Sequence, residues 1–167
     1  MKKAVWSGLL AVAAVFAMSV PALAQVNDTA AINVTVNVNA RAKLSLGAAA
    51  ITWADADPDV TPTLSSGAIT VDVKARTSAG ATVALTVLAS DDLKSGSNVI
   101  TIDQLTWVGA GASFAGTGTS NKTTGQTVVS FNNSGSRSGT QTYSLPNSWS
   151  YATGAYTATL NYTLVAP

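Results

Sequence analysis

The sequence predicts an all-β protein: two antiparallel sheets packed as an immunoglobulin-like sandwich, preceded by an N-terminal signal peptide. Three observations carry that expectation. Apolar and polar residues alternate with period two along most of the patterned segments. No stretch after residue 24 has the 3.6-residue period of an amphipathic helix. The segments are separated by short clusters of Gly, Ser, Asn and Pro, the residues that tight turns require.

The leader comes first. Lys2 and Lys3 give a basic start, Leu9 to Val20 is apolar, and Ala22-Leu23-Ala24 has the small-x-small pattern at which signal peptidase cuts. Residues 1–24 are therefore expected to be removed, leaving Gln25 as the new N-terminus. The apolar run falls short of the ~20 residues a spanning helix needs, so no integral membrane anchor is expected after cleavage. Residues 25–167 have the size of one domain, large enough to bury a core without covalent staples. Cys is absent, although export would permit disulfides.

Ile32 to Leu46 is the strongest strand signal. Ile32, Val34, Val36, Val38, Ala40, Ala42, Leu44 and Leu46 alternate without fault with Asn33, Thr35, Asn37, Asn39, Arg41, Lys43 and Ser45. At ~3.3 Å per residue such a strand would run roughly 50 Å, well beyond a usual strand. Two readings explain the length. In one, a single strand bends and serves both sheets. In the other, residues 25–38, carrying Ile32, Val34, Val36 and Val38, form a donor strand for a neighbouring subunit, and head-to-tail donation builds a fibre.

Ile51 to Trp53 is expected as a short strand, followed by an acidic loop at Asp55-Ala56-Asp57-Pro58-Asp59. Ile69–Arg76 and Thr82–Ala89 are strands joined by the turn Ser78-Ala79-Gly80. Ser90–Asn98 is read as a turn. Val99–Val108 is a strand whose apolar phase changes between Ile102 and Leu105, which predicts a bulge near Asp103-Gln104. Gly109–Gly125 is read as a long mobile loop. Gln126–Asn132 and Thr140–Leu145 are further strands, Pro146–Gly154 is a connection, and Tyr156 to Leu164 alternates as the last strand. Gly154-Ala155-Tyr156 fits either a tyrosine corner or an ordinary half-buried tyrosine at a strand start.

Composition narrows the chemistry. There is no His, and all eight acidic residues are Asp. Removing Lys2 and Lys3 from nine Lys and Arg leaves seven cations against eight Asp, a net charge of −1. That balance gives no electrostatic reason to bind nucleic acid. A Ser-His-Asp triad, a Cys nucleophile and the usual zinc sites have no residues to build them, so no enzyme activity and no catalytic residue is expected. Asp55, Asp57 and Asp59 are hard oxygen ligands at alternate positions, which suits Ca²⁺; the competing reading is an acidic turn around Pro58. No other cofactor is expected. Trp149 and Tyr151 lie in a connection, and exposed aromatics there suit a sugar-binding platform.

Two family resemblances follow from short motifs. Leu93-Lys94-Ser95-Gly96-Ser97-Asn98, Leu105-Thr106-Trp107, Tyr143-Ser144-Leu145-Pro146 and the ending Gly154 to Leu164 resemble WxL-type surface domains. That resemblance implies a secreted β-rich module held to cell-wall polysaccharide. The chain departs from the pattern where Val108-Gly109 follows Trp107 and where Tyr162 replaces the second Trp. Leu46-Gly47, Asp57-Pro58, Gly67-Ala68-Ile69-Thr70-Val71 and the terminal Gly-x-Tyr strand resemble spore coat protein U-like domains, the modules of archaic chaperone–usher pilins. That resemblance implies a pilus subunit, although the family commonly carries Cys. The expectation is a secreted or cell-surface structural or adhesive protein that self-associates, with a monomeric module binding carbohydrate or cell wall as the alternative.

Overall fold

A computed structural model describes residues 28–114 and 116–167. The chain divides into two units, 1–36 and 37–167. The leader expected at 1–24 lies outside the described residues, as do residues 25–27 of the expected donor segment. Of the first unit, residues 28–36 form no strand and are exposed. Among the described residues no helix is long and apolar enough to cross a membrane.

The second unit is all-β and antiparallel. Its strands are β1 (Arg41–Leu46), β2 (Thr63–Ser65), β3 (Ile69–Arg76), β4 (Thr82–Ala89), β5 (Leu93–Ser95), β6 (Asn98–Ile100), β7 (Thr106–Ala110), β8 (Gly116–Thr119), β9 (Gln126–Asn132), β10 (Gly135–Pro146) and β11 (Leu160–Val165). One sheet has the order β1-β3-β10-β7-β8, with β2 paired to the far end of β10. A second sheet has the order β11-β4-β9, and β5 and β6 form a separate hairpin. Period-two alternation sends one side of each main sheet inward. Val71 and Val73 of β3 meet Val83, Leu85 and Val87 of β4 and Val128, Val129 and Phe131 of β9 in one core. The arrangement is sandwich-like. A second cluster, from Leu93, Ile100, Ile102, Leu105, Trp107, Tyr143 and Leu145, fills the end beneath the β5–β6 hairpin.

Several expectations are corrected. The strand expected over Ile32–Leu46 is confined to Arg41–Leu46 and serves one sheet, so it does not bend into both. The cause lies in its partner: Arg41 pairs with Arg76, the last residue of β3, and the chain then turns away through Thr77–Gly80. No β3 backbone remains for residues before Arg41. Ile51–Trp53 forms no strand, and Ile51 and Trp53 instead pack as half-buried side chains on the second cluster.

The phase change before Trp107 comes from a 3-10 turn, Ile102–Gln104, rather than a bulge. It lets Ile100, Ile102, Leu105 and Trp107 all point inward. Within 109–125, residues 116–119 form β8 beside β7, and Phe114 is buried. Phe114 sits over two glycines: a Cβ at Gly139 would lie 2.4 Å from its ring, and one at Gly109 would lie 1.7 Å from its carbonyl oxygen. The turn read at Ser90–Asn98 contains β5, and β10 is longer than its expected core of Thr140–Leu145. The strands expected at 69–76, 82–89 and 126–132 form as read.

Candidate functional site

The two main sheets each end in an exposed strand on the same flank. β1 closes one sheet and β11 the other, and they run alongside each other without backbone pairing. On β11, Leu160, Tyr162 and Leu164 face the core but are only half-buried, and Leu44 of β1 is their half-buried counterpart. Apolar side chains that line a core yet stay half-open mark an interior lacking its last cover. Edge strands also present a row of unpaired N–H and C=O groups to an incoming chain.

Beside β11 the interior turns polar. The Tyr143 hydroxyl of β10 lies 2.6 Å from the Tyr162 hydroxyl of β11, and Tyr162 donates to Gln141 Oε1 at 2.6 Å. The chain of hydroxyls ties one sheet to the other. Burial raises the pKa of both phenols above the usual tyrosine value. Gln141 is fully buried, and its Nε2 has no partner among the described residues.

The expected strand-donation residues lie in exposed chain that forms no strand. Ile32, Val34, Val36 and Val38 are 90%, 81%, 74% and 64% exposed, a decreasing series that ends just before β1. Four consecutive in-phase apolar side chains left in water each forgo about 1.5–3 kcal/mol of burial.

The acidic loop and the aromatic connection are brought together, which their separation in sequence did not indicate. Trp149 Nε1 donates to Asp59 Oδ1 at 3.1 Å, while Asn147 Nδ2 donates to the carbonyls of Ala56 and Thr61, both at 3.0 Å. Asp57 Oδ1 accepts the Asp59 N–H at 2.9 Å, the local bond that Asp makes in a turn. Asp55, Asp57 and Asp59 are exposed, and among the described residues no three metal-ligating side chains converge. Trp149 is 70% exposed. Tyr151 is half-buried and lines a cavity of about 420 Å³ with Val99, Gln104, Pro146 and Ser150, to which Trp149 does not contribute. Tyr156 donates its hydroxyl to the Ala152 carbonyl at 2.8 Å, the backward tie expected of a tyrosine corner.

Sequence reading missed the Gln141–Tyr143–Tyr162 network. Gln141 and Tyr143 share the inward phase of β10, so a polar residue at an inward position was the available signal. Searches of family models, curated proteins and solved structures return no match to this chain.

Proposed function

We propose that this chain is an exported, non-catalytic structural subunit of the cell surface, with an immunoglobulin-like sandwich, and that it assembles by β-strand donation. One copy lends residues 25–38, and a second copy receives them between β1 and β11. A single observation carries the reading: the molecule has both an alternating apolar segment that joins no sheet and a sheet edge whose inward side chains stay half-open. Ile32, Val34, Val36 and Val38 alternate as Leu160, Tyr162 and Leu164 do, so both sides have the period that strand addition needs. The leader-like N-terminus and the resemblance to archaic pilin modules agree with it. Because donor and acceptor are different surfaces, the contact repeats without closing and yields a fibre.

The test compares the chain with a variant lacking residues 25–38, using size-exclusion chromatography and negative-stain microscopy. The full chain is expected to give ladders or filaments. The deletion is expected to leave a folded monomer that still captures a peptide of residues 25–40. A deletion variant that assembles as before, or a full chain that stays monomeric at high concentration, overturns the proposal.

The exposed Trp149 indole beside the Tyr151 cavity favours a second reading, a carbohydrate- or cell-wall-binding module. Retention of the monomer on cell-wall polysaccharide, lost in Trp149→Ala, would establish it.

A further inference from the structure

The seven cations of residues 25–167 are unevenly placed. Lys94 pairs with Asp91, and Lys122 pairs with Asp92. Arg137 lies over the Phe131 ring, 4.5 Å from its centroid. The remaining four occupy adjacent positions on the outer face of β1 and β3. Arg41 stands directly opposite Arg76, and Lys43 directly opposite Lys74. All four are exposed, and among the described residues none has a carboxylate within ion-pair distance. Asp72, two positions along β3 from Lys74, is the one anion on this part of the face.

Like charges directly opposite across an antiparallel pair destabilise it. Lysines on an edge strand are a known guard against edge-to-edge pairing, and that suffices for Arg41 and Lys43. It does not account for Lys74 and Arg76, because β3 is an interior strand paired on both sides. The third strand of the face adds hydroxyls: Ser136 is opposite Lys74, and Ser138 is opposite Asp72. The face therefore offers two rows of paired cations, spaced about 6.6 Å along the strands, beside a ladder of hydroxyl groups.

We infer that the outer face of β1, β3 and β10 binds an anionic polysaccharide, its acidic groups lying between the cation pairs and its sugar hydroxyls meeting Ser136 and Ser138. Hydroxyls flanking the cations favour a glycan over a lipid surface. The inference does not depend on strand donation: it uses outward residues of β1, β3 and β10, whereas the proposed acceptor uses the inward Leu160, Tyr162 and Leu164.

The probes are polygalacturonate for carboxylate and dextran sulfate for sulfate, with neutral dextran as control, measured on the purified full chain. Binding to one or both acidic polymers is expected, and which one binds identifies the acidic group. Raising the salt to about 1 M, where the screening length falls to ~3 Å, is expected to abolish it. The variant Arg41→Ser/Lys43→Ser/Lys74→Ser/Arg76→Ser is expected to lose tenfold or more in affinity while keeping or raising its Tm. The milder Lys43→Ser/Lys74→Ser pair should lose part of it, and Lys94→Ser/Lys122→Ser nothing. Unchanged affinity in the fourfold variant, equal binding of neutral dextran, or equal binding of duplex DNA or phosphatidylglycerol vesicles overturns the inference. So does a fourfold variant that loses self-assembly but keeps the glycan.

Discussion

β9 and β11 are the two edges of one three-stranded sheet, each paired with β4, yet they end in opposite states. β9 buries Val128, Val129 and Phe131. β11 buries nothing fully, although Leu160, Tyr162 and Leu164 alternate without the break that puts buried Val128 and Val129 side by side on β9. Neither strand's own composition causes the difference. On the β9 flank, where β8 runs nearby, Phe114 enters the core from the β7–β8 connection, and Arg137 lies over Phe131. On the β11 flank the neighbour is β1, which contributes Leu44 alone. A sandwich flank closes only when other segments bring it enough side chains, and among the described residues this flank receives only the half-buried Leu44 from β1.

That contrast can be broken or sharpened by experiment. The largest effect is expected from Phe114→Ala, which removes the plug of the closed flank. Truncation of a fully buried Phe should cost about 3–5 kcal/mol, read from urea unfolding. A cost near that of a surface change would mean that the two flanks are alike. Tyr162→Phe comes next. It leaves the buried Gln141 Oε1 without its donor and should cost about 1–3 kcal/mol. Leu164→Ala, on the open flank, should cost only about 1 kcal/mol, because the side chain is already partly in water. If the full chain assembles as proposed, that same substitution should weaken assembly far more than it weakens the fold, a difference visible by comparing Tm with filament yield.

Two pH effects complete the series. Tyr143 and Tyr162 have pKa values raised by burial, so the folded chain keeps protons that the unfolded chain releases above pH 10.0. Their contribution is present below that pH and declines as pH rises above it. Alkaline titration should show both phenols ionising at higher pH than a free tyrosine, and Tyr162→Phe should shift the alkaline unfolding transition. Asp91 and Asp92 have the opposite sign. Hydrogen bonds from Lys94 to Asp91 and from Lys122 to Asp92 lower their pKa values from 3.8. Their contribution is present above pH 3.8 and fades below it. Because the Lys94–Asp91 pair is half-exposed and Lys122 reaches Asp92 from the solvent side, this should be the smallest effect in an acid titration of Tm.

Much of the fold was legible because alternation reports directly on which side chains share a face. Ile69–Arg76, Thr82–Ala89 and Gln126–Asn132 form strands as their patterns indicate. The losses have particular causes. Ile32–Ala40 carries the same alternation as β1 but has no partner backbone among the described residues. Gly109–Gly125 looked mobile from its glycines, yet Gly109 and Gly139 are small because Phe114 occupies the space above them. The acidic loop and the Trp149 connection were both noticed, but their hydrogen bond spans 90 positions and no local pattern encodes it.

From the sequence alone, then, came the period, hence the strand type, the inward and outward faces, and the narrow chemical inventory without His or Cys. Tertiary structure decided which edges meet. It set Arg41 against Arg76, carried Phe114 into one flank and left the other uncovered, and linked Tyr143 to Tyr162 across the sheets. The reason is physical: a side chain's phase is a local property of the backbone, whereas burial and pairing depend on chain segments arriving from far away.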